Sequence, residues 1–141
     1  MKYNKIIAIG LIIIGSANVF AQHKKETNKE NVSTNDYYEG SPTVSQDGKT
    51  MIFQSNRSGH FKLYEVSRTS KKDNWGEPIS IESINEFGHK KDLIGGPSLS
   101  YDGNSLYFFA TFRSKFGGHD IYTSTKVGGV WGEPQNMGAS I

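Results

Sequence analysis

Two stretches of this 141-residue chain repeat each other in register. Residues 41–53, SPTVSQDGKTMIF, return at 96–108 as GPSLSYDGNSLYF. Trp75-Gly76-Glu77-Pro78 returns as Trp131-Gly132-Glu133-Pro134. The offset is 55 from Asp47 to Asp102 and 56 from Trp75 to Trp131. A unit of this size cannot bury its apolar faces alone, so a period near 50 residues implies stacked units that share a core. Such architectures are scaffolds, and a functional site on them has to be argued separately.

Each unit reads as four short strands. In the first unit they fall at residues 41–45, 50–55, 61–67 and near 78–81. Their counterparts in the second lie at 105–111, 119–124 and 134–137, behind a first strand that opens at Gly96. Asp47-Gly48 and Asp102-Gly103 sit between strands one and two. Asp-Gly is a tight-turn signal, because glycine accepts positive φ and the aspartate bonds its own backbone. Leu106 to Ala110 is apolar without alternation, which suits a strand covered on both faces. Sixteen glycines and 12% aromatic residues fit short strands and many turns, and no segment has strong helical periodicity. The offset grows to 58 between Tyr64 and Tyr122, which places a three-residue insertion around Lys115-Phe116-Gly117. Insertions in repeat proteins map to loops on one face, often the binding face.

The N-terminus has a different character. Lys2 and Lys5 precede an apolar run from Ile6 to Ile14, and Val19-Phe20-Ala21 forms a small-x-small cleavage site. This is the pattern of a secretory signal, too short to span a bilayer. It predicts a mature start at Gln22 and a periplasmic or secreted location. Without Lys2 and Lys5 the chain carries 14 basic and 14 acidic side chains. That balance, with no basic stripe, argues against a nucleic-acid partner. The absence of cysteine leaves no disulfide and no thiol for a lipid anchor. Residues 22–36 have Val32 as their one aliphatic side chain, which predicts a disordered or extended linker through residue 40. The chain thus divides into a signal at 1–21, a linker at 22–40, and two repeats within 41–141, about 41–84 and 96–138.

The residues that carry chemistry elsewhere have structural readings here. Asp47 and Asp102 recur, but each precedes glycine at a strand turn, and no second carboxylate accompanies either to form a glycosidase pair. His23, His60, His89 and His119 do not recur between repeats and have no metal-ligand spacing. Gly48-Lys49-Thr50 ends like a phosphate-binding loop, but Thr43 stands where that loop needs glycine. Gly96-Pro97-Ser98-Leu99-Ser100 falls short of a nucleophile elbow, with Ser100 in place of the last glycine. No catalytic residue, cofactor or metal site is assigned, and the chain is expected not to be an enzyme. The candidates for ligand binding are Arg57 and Arg113, in the loops after the second strands, where a guanidinium can fork onto a carboxylate of a peptide or glycan. The alternative is that both bond neighbouring carbonyls or meet solvent, with Asp120 as a partner for Arg113. Trp75 and Trp131 are the second pair of candidates: tryptophan stacks on sugars and partner proteins, while its recurrence at one repeat position points instead to packing between units. Glu77 and Glu133, each before proline, read as extended turn residues.

Pro42…Ser45-Gln46-Asp47-Gly48…Phe53 and Pro97…Ser100-Tyr101-Asp102-Gly103…Phe108 resemble the PD40, or WD40-like, β-propeller repeat, the repeat type of TolB-like propellers. The loop from Arg113 to Tyr122 and the closing Trp131-Gly132-Glu133-Pro134 resemble a sub-group found in envelope proteins of Gram-negative bacteria, often ahead of a peptidoglycan-binding OmpA-like domain. The resemblance covers about residues 40–138. It implies an all-β fold of two four-stranded antiparallel blades, an incomplete propeller, since closure takes four to eight blades. It further implies a non-catalytic exported module that contacts an envelope protein or a peptidoglycan-associated assembly. Two blades leave open sheet faces, so the chain is expected to be the front of a longer protein, with self-association of copies as the other route to closure. The rival functions are the propeller part of a secreted peptidase or sialidase-like hydrolase, and a carbohydrate-binding module built on the two tryptophans.

Overall fold

The computed structural model describes residues 32–112 and 118–139. Within them the first repeat forms an antiparallel sheet of β1 (Glu39–Val44), β2 (Thr50–Ser55), β3 (Lys62–Ser67) and β4 (Ile79–Ser80), in that order. A single helical turn, α1 (Glu82–Asn85), follows. The second repeat forms a second antiparallel sheet from β5 (Ile94–Leu99), β6 (Ser105–Ala110) and β7 (Asp120–Val127). Along the free edge of β7 lie two short strands, β8 (Val130–Trp131) and β9 (Gln135–Asn136). The fold is all-β apart from that one helical turn.

Three features differ from the sequence expectation. β1 begins at Glu39, two residues inside the segment assigned to the linker, and Val32 packs against the outer face of the first sheet. The chain before β1 is held there by Val32 on the aromatic face and by its carbonyl, which accepts from Arg57. Trp131, expected in a turn, belongs to β8: the Gly128-Gly129 pair lets the chain reverse, so that Lys126 pairs with Trp131 and Val127 with Val130. The second sheet therefore has five strands instead of four. The turn α1 buries Ile84, three residues after buried Ile81, which is too short a pattern to show as helical periodicity. The signal segment, most of the linker and the insertion at 115–117 lie outside the described residues.

The two repeats match in backbone detail. Both first strands are bulged: the β1–β2 register shifts between Gly40 and Thr43, and the β5–β6 register between Gly95 and Ser98. Ser41 and Gly96 occupy corresponding places in these bulges, with φ of 51° and 59°. Both turns between the first two strands are also alike. Gly48 and Gly103 have φ of 69° and 74°. Their amides donate to the carbonyls of Ser45 (2.8 Å) and Ser100 (2.9 Å).

The core lies between the sheets. Alternation places Ile52, Gln54, Leu63 and Glu65 on one face of the first sheet, and Leu106, Phe108, Ala110 and Tyr122 on one face of the second. Ile52, Leu63, Leu106, Phe108, Ala110, Tyr122 and Trp131 join one buried cluster, with Ile81 and Ile84 closing it from the connection. Phe108 stacks on Tyr122 at 6.1 Å between ring centroids, and Phe112 meets Tyr122 edge-on at 4.9 Å. Polar links join the inner strands across the seam: the Gly96 amide donates to Gln54 Oε1 (2.9 Å) and the Leu99 amide to Thr43 Oγ1 (3.1 Å). The opposite face of the first sheet carries a separate cluster of Phe53, Tyr64 and Val66, against which Val32, Met51 and Trp75 pack.

The left-handed serine gives a test of the shared bulge. A non-glycine residue in that region costs about 1–2 kcal/mol. Ser41→Gly should therefore raise the unfolding free energy by roughly 1 kcal/mol in urea titrations. Gly96→Ala should lower it by more, because the new Cβ would also stand 2.9 Å from two ring carbons of Phe109. An unchanged midpoint for both variants would mean that the bulges are not held as described.

Candidate functional site

The seam between the sheets ends in a charged latch. Glu65, on β3, accepts from Lys126 Nζ at 3.0 Å on both carboxylate oxygens and from Trp131 Nε1 at 2.7 Å. Lys126 Nζ also sits 4.7 Å from the centre of the Trp131 ring. One carboxylate thus satisfies the donor of a buried indole and pairs with the cation that covers it. Beside the latch the seam opens into a groove of about 620 Å³, flanked by Ile79 and Val130.

The repeat makes the other face of the second sheet informative. Tyr107 and Ile121 are the counterparts of Ile52 and Leu63, by the offsets of 55 and 58. Ile52 and Leu63 are 0% exposed because the second sheet covers them, whereas Tyr107 and Ile121 are 39% and 43% exposed. Thr123 pairs with Tyr107 and stands where the first sheet has Glu65. This face thus keeps the apolar centre of its buried counterpart and lacks the latch carboxylate.

Arg57, a candidate ligand-binding residue, is tied into the first sheet. Its Nη2 donates to Glu39 Oε1 (3.2 Å, an ion pair) and to the Val32 carbonyl (3.1 Å), and its Nε to Ser55 Oγ (3.1 Å). The guanidinium lies 5.3 Å from the Phe53 ring centre and 5.0 Å from that of Tyr64. It closes the outer face of that sheet, where its planar fork meets one carboxylate, one carbonyl and two rings. Arg113 lies outside the described residues. Trp75 is half-buried, with the Arg68 guanidinium 4.1 Å over its ring. The cation over tryptophan recurs as Lys126 over Trp131, so the two tryptophans share a local arrangement. Trp131 is buried, with Lys126 over its ring and its edge at the groove beside the latch. The structure does not bring Arg57, Trp75 and Trp131 into one site.

Asp47 and Asp102 organise their turns. Asp47 Oδ1 accepts from Ser45 Oγ (2.6 Å) and the Lys49 amide (3.0 Å); Asp102 Oδ1 accepts from Ser100 Oγ (2.6 Å) and the Asn104 amide (3.1 Å). The serine bond first, and the amide bond second, hold both carboxyls below the ordinary aspartate pKa. Gln46 reaches Tyr101 across the two turns.

A second cavity escaped the sequence. At the end of the sheets where the β2–β3 loop meets α1, a cleft of about 340 Å³ is lined by Ser58, His60, Lys62, Asn85, Glu86 and Lys90, among others. Asn85 builds one wall. Its Oδ1 accepts from the Leu63 amide (2.9 Å) and its Nδ2 donates to the Leu63 carbonyl (2.7 Å), so the side chain extends the ladder where β4 has ended. The sequence signal was a lysine inside an apolar strand, between Phe61 and Leu63, where the second repeat has Asp120.

No family model and no curated protein matches this chain. Among the described residues no helix is long and apolar enough to cross a membrane. No group of three or more His, Cys, Asp or Glu side chains among them converges to hold a metal ion.

Two measurements check these geometries. Glu65→Ala removes the acceptor of a buried indole, and should cost about 1–3 kcal/mol in urea unfolding. A loss within error of zero would mean the latch is not formed. Because their folded pKa values are depressed, Asp47 and Asp102 contribute stability above the ordinary aspartate pKa of 3.8, and this contribution is lost as pH falls through the depressed values. Carboxyl NMR titration should show both midpoints below 3.8, and Ser45→Ala should return that of Asp47 towards it while leaving Asp102 unchanged.

Proposed function

We propose that the two sheets are blades of a PD40-type β-propeller, and that they serve as an exported, non-catalytic module holding a protein partner or a peptidoglycan-associated assembly in the cell envelope. The observation that carries this reading is the open face around Tyr107 and Ile121. In the first repeat the corresponding face is covered by a sheet that brings an aromatic pair, Phe108 and Tyr122, and the β8 tryptophan, Trp131.

The occupant that fits the open face is another sheet of the same repeat, in the rest of a longer polypeptide or in a partner chain. A second copy of this chain suits it less well. The surface such a copy would present, around Phe53 and Tyr64, is already packed by Val32 and Arg57. The export part of the reading rests on the basic and apolar start of the sequence, and the envelope part on the resemblance of the repeats.

Ile121→Glu tests the reading, because it places a charge on the open face without entering the core between the sheets. In the producing cell the chain should run, under native conditions, in a species larger than its own mass. Ile121→Glu should weaken or dissolve that species. A wild-type chain that runs at its own mass, with no effect of Ile121→Glu, would sink the proposal. A species holding two copies of this chain and nothing else would make self-association the mode of closure.

A further inference from the structure

The cleft at the β2–β3 end is built around a buried amine. Lys62 is 7% exposed, yet it takes part in no ion pair among the described residues. Its Nζ donates to one acceptor, the Asn85 carbonyl, at 3.0 Å. An ammonium has three donors, so two remain for whatever enters the cleft. The Asn85 side-chain amide is itself engaged with Leu63 and Ser80.

A buried cation with a single neutral partner is costly, and a counter-ion relieves that cost. The rest of the lining favours an anion. His60 and Lys90 add basic groups against the one carboxylate of Glu86, and Ser58 adds a hydroxyl. Burial lowers the Lys62 pKa from its ordinary value, while the negative charges of Asp92 and Glu86 oppose this without removing it. The cleft volume suits a group the size of one or two amino-acid residues, at the small end of ligand pockets.

We infer that this cleft binds a carboxylate, seated on Lys62 Nζ with Ser58 and Lys90 at its rim. The ligand class is a small carboxylic acid or the free C-terminus of a short peptide. The ammonium is a compact point charge, and its bond to a carboxylate is charge-assisted and roughly twice as strong as a neutral one. The site is independent of the open face around Tyr107 and Ile121, so either can stand without the other.

The test uses the full chain with its lysines labelled for side-chain NMR, titrated with acetate, with N-acetyl-alanyl-alanine, and with the C-terminal amide of that dipeptide. Both acids should shift the Lys62 Cε resonance and raise the Lys62 pKa, and the amide should do neither. Tighter binding of the dipeptide than of acetate would assign the site to peptide termini; equal binding would assign it to small carboxylates. Lys62→Met should weaken binding on the order of tenfold or more. Should that variant fail to fold, Lys90→Ala and Ser58→Ala remain, each lowering affinity severalfold with the fold intact. A Lys62 resonance unmoved by either acid, or moved equally by the amide, overturns the proposal.

Discussion

Each sheet in this protein is too thin to hold a core, and the structure depends on the seam where they meet. Ile52 and Leu63 are sealed by Leu106, Phe108, Tyr122 and Trp131, and neither sheet has another apolar surface of that size turned towards the other. Burial at this seam is non-directional and sets the closeness of the sheets. Directional contacts then fix their register. Gln54 meets the Gly96 amide, Thr43 the Leu99 amide, and Glu65 the Trp131 indole. These bonds lie along the inner strands and at the outer edge, so they resist sliding in a way that apolar contact alone does not.

The same division of labour explains the two free faces. The outer face of the first sheet has been closed locally: Val32 lies on it, and Arg57 ties Glu39 and the Val32 carbonyl over the Phe53 and Tyr64 rings. The far face of the second sheet has no such cover among the described residues. Tyr107 and Ile121 there are partly in water although their counterparts, Ile52 and Leu63, are fully buried. A module built this way has one face closed by its own residues and one on which Tyr107 and Ile121 stay partly exposed.

Much of this was legible in the residues. β2 runs from Thr50 to Ser55 as its pattern indicates, and the Asp-Gly turns form at Asp47 and Asp102 with matching bonds. These elements are local: turn chemistry and alternation act over a few residues, and the repeat supplies a second reading of each. Less legible were features whose cause lies far along the chain. The hairpin to β8 turns locally at Gly128-Gly129, but the burial of Trp131 depends on Glu65, 66 residues earlier, which receives its indole. Arg57 looked available for a ligand because its partners, Val32 and Glu39, precede it in a segment with no pattern. Lys62 carries no local signal of a site: its amine faces a cleft because α1 brings the Asn85 carbonyl, 23 residues on, to it.

The sequence by itself determined that the chain is β-rich, that it holds two like units, and where their tight turns fall. Those follow from local sterics and from a period that can be counted. Only the tertiary structure decided which of the apolar faces are buried. In a repeat the same residue types recur on every unit, and burial depends on what stands opposite. Ile52 and Tyr107 occupy matching places in matching strands. One faces a sheet and the other faces water.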